Sequence, residues 1–162
     1  MLKEVKFIVI CFICLIFNVF GLKGQNNRDL RSGHSITFST LYGIEYGYEH
    51  AFGKVFHLCG SAGLNDCVYK KSDSYMVSPS IELRLAPRFY MSEEDFFAVN
   101  MGSSLIIQGT TIDFSLVPVY GMKRYWSRHW FGEFTIGGGA GYYSGSGLYF
   151  KPHLQFNIGF TF

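Results

Sequence analysis

Little of this sequence is charged and very little of it is proline. Of 162 residues, 16% are Asp, Glu, Lys or Arg and 4 are proline, whereas 48% are apolar. So small a charged fraction beside so much apolar surface excludes wholesale disorder. A net charge of +2, with no clustered basic face, gives no footing to a nucleic-acid partner. No apolar run reaches the roughly 20 residues of a spanning helix. No Cys/His spacing fits a zinc site, and no pattern calls for a cofactor. What is abundant is aromatic and glycine: 17 Phe, 11 Tyr and 19 Gly, a composition suited to strands. The length allows one domain.

The N-terminus reads as a Sec-type secretory signal. Lys3 and Lys6 precede a nearly unbroken apolar run from Phe7 to Phe20, and the small residues Gly21 and Gly24 follow. The expected cut after Gly24 removes Cys11 and Cys14 and leaves residues 25–162, beginning with a polar stretch at 25–34. In the oxidising compartment beyond, a disulfide between Cys59 and Cys67 is possible.

The mature chain alternates with period two. Over 35–49, Ile36, Phe38, Ile44, Tyr46 and Tyr48 share one face, opposite Ser35, Thr37, Glu45 and Glu49. Over 76–90, Val77, Ile81, Leu83, Leu85 and Phe89 oppose Glu82, Arg84 and Arg88. Over 111–123, Ile112, Phe114, Leu116 and Tyr120 oppose Asp113 and Lys123. Over 150–162, Phe150, Leu154, Phe156, Ile158, Phe160 and Phe162 oppose Lys151, His153, Gln155 and Asn157. Segments 55–65, 96–108 and 130–143 alternate less strictly. Sandwich strands average about 5–6 residues, but these segments hold phase for far longer. One greasy and one polar face over such a length suits transmembrane strands, which need about 9–11 residues to cross. All four prolines lie on the apolar face, where a missing ladder donor is unwelcome.

A signal peptide, long dyad strands and the terminal pattern Leu154-x-Phe156-x-Ile158-x-Phe160-x-Phe162 resemble the small outer-membrane β-barrel proteins of Gram-negative bacteria, over residues 35–162. The resemblance implies an all-β, antiparallel up-and-down barrel of eight strands, with the terminal pattern as the signal read by the barrel-assembly machinery. It further implies periplasmic chaperones during biogenesis, outer-membrane lipids and lipopolysaccharide as surroundings, and a monomer. The C-terminus then lies in the periplasm. Turns at 50–54, 91–95 and 124–129 are periplasmic, and connections at 66–75, 109–110 and 144–147 face outward, the first being the longest. Aromatic residues at both ends of the strands would form interfacial girdles. Only seven strands can be counted. The eighth comes either from 25–34 or from splitting 35–49, and the unbroken phase from Ile36 to Tyr48 favours leaving the latter whole.

The inward charges are the candidate chemistry. Glu45, Glu49 and Glu133 with Arg84, Arg88 and Lys123 cluster toward the periplasmic side, Asp113, Lys151 and His153 stand nearer the outside, and Glu82 belongs to the same inward network. In so narrow a lumen they must pair or be hydrated. A charge-plugged, non-enzymatic barrel and a narrow gated ion path both remain open. Catalysis has weaker support: His34 and Ser35 are adjacent and would point to opposite faces, although His153 with Ser115 or Thr135 is conceivable across strands. A soluble lipid-binding barrel with its greasy face inward is disfavoured by the few charges on the polar face. Gly137-Gly138-Gly139-x-Gly141 has no helix after it to cradle phosphate, and its expected role is to relieve crowding. Glu93-Glu94-Asp95 reads as an acidic turn, and Lys70-Lys71 as a surface pair able to meet lipopolysaccharide phosphates.

Overall fold

The computed structural model describes residues 32–39, 43–71, 73–107 and 111–162. The expected leader at 1–24 and nearly all of the polar segment lie outside them. Eight strands run in chain order: β1 (Gly33–Ser39), β2 (Gly43–Ala51), β3 (Phe56–Lys71), β4 (Ser74–Tyr90), β5 (Asp95–Ile106), β6 (Thr111–Tyr125), β7 (Trp130–Tyr143) and β8 (Gly147–Thr161). Each pairs antiparallel with its neighbours, and β1 pairs with β8 to close the ring. The structure is thus the all-β up-and-down barrel of eight strands expected from the pattern.

The eighth strand comes from splitting 35–49, against the preference for one strand there. β1 and β2 form a hairpin whose register pairs Ser39 with Gly43 and Ile36 with Tyr46. Three residues separate Ser39 from Gly43, and a connection of odd length returns the chain with its phase intact. Even-numbered residues face outward in both strands, so the alternation passes through the reversal unbroken.

The expected long connection at 66–75 is also corrected. Residues Asp66–Lys71 extend β3 and Ser74–Tyr75 begin β4, paired up to Lys71↔Ser74. The strands of 16 and 17 residues outrun the length needed to cross a bilayer. Past that depth the outward face of β3 need not be apolar, and there it carries Asp66 and Lys70.

Outward positions are mostly aliphatic or aromatic, and inward ones are mostly polar or small, with a few large aromatic and aliphatic side chains among them. The stagger is large. Stepping from Ser35 through its partners Gly47, Ser61, Arg84, Gly102, Ser115 and Gly141 arrives at Tyr149, twelve residues along β8 from Thr161, which Ser35 pairs on its other side. Stagger, tilt and diameter are linked, so a ring of eight strands gains interior width this way.

The register accounts for all four prolines. Pro87 falls in the gap of the β4–β5 ladder between Leu85↔Met101 and Arg88↔Ala98. Pro118 falls in the β6–β7 gap between Leu116↔Ala140 and Val119↔Gly137. Pro79 lies just past the last β4–β5 pair, Ser80↔Ile106, and Pro152 lies where β8 has run beyond β1. Each stands where one ladder is interrupted or finished, the positions that tolerate a missing N–H.

Glycines answer the crowding. A Cβ on Gly137 or Gly139 would lie 2.1 or 2.2 Å from the β6 carbonyl oxygens of Pro118 or Leu116. Inside the barrel, Phe96, Phe131 and Tyr149 each lie over the glycine paired with them across strands, Gly121, Gly159 and Gly141. The structure therefore turns some expected girdle residues inward: Phe96, Tyr69, Tyr143 and Tyr149 are buried in the lumen. Tyr46, Tyr48, Phe52, Phe89, Phe97 and Trp130 remain exposed toward one end of the outer wall, and Tyr75, Tyr142 and Phe150 toward the other.

Candidate functional site

The inward charges meet in three tiers. Nearest the end at which β1 begins and β8 finishes, Glu49 of β2 is the hub. Its carboxylate accepts from Lys123 Nζ at 2.8 Å, from His57 Nδ1 at 2.6 Å and from the Tyr90 hydroxyl at 2.9 Å. Arg88 of β4 lies 3.8 Å from the same carboxylate and grips Glu133 of β7 through two bonds, of 2.7 and 2.9 Å. The paired fork is the strongest geometry available to an arginine. Aromatic faces back both cations: Arg88 lies 4.5 Å from the Phe96 ring centroid and Lys123 lies 4.4 Å from that of Phe131.

In the middle tier Arg84 bonds Glu45 at 2.8 Å and Gln155 at 3.2 Å, and stands 3.3 Å from Glu82. The Asn65 amide donates to Glu45 at 2.8 Å and Glu82 at 3.1 Å, tying the two acids together. In the upper tier Lys151 is ion-paired with Asp113, which is 1% exposed and also accepts from the Tyr149 hydroxyl at 2.7 Å. His153 Nε2 sits 2.9 Å from the Thr135 hydroxyl. Above them Tyr69, Tyr143, Tyr149, Ile106 and Cys67 form an apolar cluster.

Every charged lumen residue expected from sequence therefore has a place in one tier, and the opposite charges stand beside one another. Alternation alone did not reveal His57, Asn65, Tyr90, Tyr149 and Gln155 as hydrogen-bond partners. All five are inward by parity, so the signal lay in the same phase that marked the acids and bases.

Cys59 and Cys67 are free thiols, which corrects the possible disulfide. Both face inward on β3, eight residues apart on one extended strand. That separation is about 26 Å, whereas bridged cysteines need their Cα atoms within about 7 Å. The catalytic option at His153 brings Thr135 within reach, but among the described residues no carboxylate hydrogen-bonds the other ring nitrogen. The acidic turn is tied down by its neighbours: Ser92 donates to Asp95 at 2.8 Å and Glu94 pairs with Arg124 of β6 at 2.6 Å. Among the described residues no cluster fits a metal. The terminal pattern lies on the outer face of β8, where Leu154, Ile158 and Phe162 are exposed and Phe156 and Phe160 half-buried.

Between the middle and upper tiers lies a cavity of about 300 Å³, walled by Ser39, Asn100, Ser104, Ser115, His153 and Gln155 among others.

No family model matches the chain, and no curated protein is similar to it in sequence. Among solved structures, the barrel is similar to the backbone structure of the Yersinia pestis outer membrane protein Ail in a phospholipid bilayer nanodisc. The two are 12% identical with a TM-score of 0.48, covering 81% of this chain and 98% of that one.

Proposed function

We propose that this chain is an integral outer-membrane β-barrel protein without catalytic activity, its lumen plugged by paired charges, serving a structural or surface-interaction role. The observation that carries the reading is the polarity of the wall. Leu64, Leu83, Leu116, Phe150 and Leu154 stand exposed outside, while Glu45, Lys123, Asp113 and Glu133 are buried inside. Water outside and a greasy lumen would call for the reverse. A closed ring also leaves every strand a neighbour on each side, the condition for sheet structure in lipid.

On this reading residues 1–24 direct export and are removed near Gly24. The terminal pattern through Phe162 presents the chain to the barrel-assembly machinery after delivery by periplasmic chaperones. The end at which β1 begins and β8 finishes faces the periplasm and the β3–β4 hairpin rises outside, with Lys70 and Lys71 near lipopolysaccharide phosphates. The outward rings at the two ends of the wall sit at the two interfaces, and the protein acts as a monomer.

A narrow pore for ions or small solutes is the second reading, favoured by the cavity of about 300 Å³ in the upper lumen. The test has two parts. Fractionation with outer membranes and heat-modifiable gel migration support insertion; recovery in the soluble periplasmic fraction contradicts it. Planar-bilayer recordings without single-channel steps support the plug, and regular steps favour the pore.

A further inference from the structure

The middle tier carries a charge that it does not balance. In the lower tier Glu49 and Glu133 face Lys123 and Arg88, two acids to two bases. Higher in the lumen Glu45, Glu82 and Asp113 face Arg84 and Lys151, three acids to two bases. Lys151 is taken by Asp113, and Arg84 stands nearer to Glu45, at 2.8 Å, than to Glu82, at 3.3 Å. Glu82 is therefore the surplus carboxylate. Both of its contacts, to Arg84 and to the Asn65 amide at 3.1 Å, are made by Oε2. Its Oε1 has no partner among the described residues. A half-bonded carboxylate on a side chain only 16% exposed is costly unless a positive group meets it.

The free oxygen borders a hollow. Gly102 of β5 pairs with Arg84 of β4 and Ser115 of β6. A Cβ on Gly102 would lie 3.4 Å from Glu82 Oε1 and 3.0 Å from Ser115 Oγ. Both are side-chain atoms, so no main-chain clash demands this glycine, in contrast to Gly137 and Gly139. It leaves part of the wall of the 300 Å³ cavity bare, among Glu82, Asn100, Ser104 and Ser115. Asn100 lies two residues from Gly102 on the same inward face. It is 9% exposed, and its amide has no hydrogen-bond partner among the described residues. A buried amide left without a partner calls independently for something to meet it there.

We propose that this hollow binds a small monovalent metal cation, held by Glu82 Oε1, the Ser115 hydroxyl, the Asn100 amide oxygen and water, and that the ion supplies the positive charge the tier lacks. The inference rests on the plugged lumen of the reading above. The donors fix the class of ion. All are oxygens, which suit a hard cation rather than a soft metal. One free carboxylate oxygen and one surplus negative charge match a single positive charge, whereas calcium sites gather more oxygen ligands and more carboxylates. Asp66 also lines the cavity and has no ion pair. It stands on the outward side of β3, so it adds to the negative field without joining the ligands. An anion would meet both carboxylates while Arg84 and Lys151 are already engaged.

The test measures urea unfolding of the full barrel in micelles, in sodium or potassium chloride against N-methylglucamine chloride at equal ionic strength, so that screening is the same. His153 also lines the cavity and could supply the missing charge by taking a proton, so the buffer is held at about pH 8, where an imidazole is ordinarily neutral. The folding equilibrium constant should rise about tenfold in the small cations, the gain given by a ligand at about ten times its Kd. Glu82→Gln removes the surplus charge and should abolish the difference. Asn100→Leu keeps the charge, removes one ligand and should reduce the gain, which decides the matter should Glu82→Gln not fold. In crystals of the barrel grown from micelles, thallium(I), a heavy stand-in for potassium, should give anomalous density against Glu82 Oε1. Equal stability in small and bulky cations, a difference that survives both variants, or thallium density absent from Glu82 overturns the site and leaves the plug intact. Single-channel steps in planar bilayers would instead contradict the plug itself.

Discussion

Arg88 on β4 and Glu133 on β7 clasp each other across the lumen through two parallel hydrogen bonds of 2.7 and 2.9 Å. They come from strands that are not neighbours in the ring, so the pair ties separate walls of the barrel together. Both side chains are largely shielded from solvent, at 13% and 8% exposure. Removal of one partner leaves an uncompensated buried charge. Arg88→Ala or Glu133→Ala should therefore destabilise the barrel by about 3–5 kcal/mol, read as a fall in urea midpoint on folding into micelles. The double variant Arg88→Met with Glu133→Leu should recover most of the loss, because no charge is then stranded. A double variant as unstable as the singles would mean that the pair is not coupled.

The aromatic rings over glycines make a second expectation. A Cβ on Gly121 would lie 2.2 Å from the Phe96 ring, and one on Gly159 would lie 2.2 Å from the Phe131 ring. Gly121→Ala should cost about 1–3 kcal/mol through overpacking. Adding Phe96→Leu to it should cost less than the two changes summed, since the smaller side chain leaves room for the methyl. Strict additivity in thermal unfolding would contradict the packing described.

The thiols give a third. Cys59 and Cys67 are free and far apart, so the mature protein, denatured without reductant, should take up two maleimide groups. Labelling that appears only after reduction would mean that a bridge forms, and with it a different β3.

How much of this was legible in the sequence depends on what each feature does to parity. The faces of the strands were plain, because Leu154, Gln155, Phe156 and Asn157 alternate in the chain as they do in the wall. The β1–β2 reversal was invisible for the same reason: the passage from Ser39 to Gly43 preserves phase, so a signal of period two runs straight through it. The extension of β3 to Lys71 was misread because Asp66, Lys70 and Lys71 look like a loop when outward positions are assumed to meet lipid. In the lumen, alternation told which acids and bases point inward but not which meet, since Arg88 and Glu133 are 45 residues apart and their pairing depends on the stagger of the whole ring.

Oxygen and nickel-chelate accessibility along β8, from single spin labels at residues 153–159 of the barrel in liposomes, tests the inverted wall most directly. The account predicts that labels at Leu154, Phe156 and Ile158 are open to lipid-soluble oxygen and shut to the chelate, in strict alternation with those at His153, Gln155, Asn157 and Gly159. The opposite phase, or chelate access at every position, would contradict it.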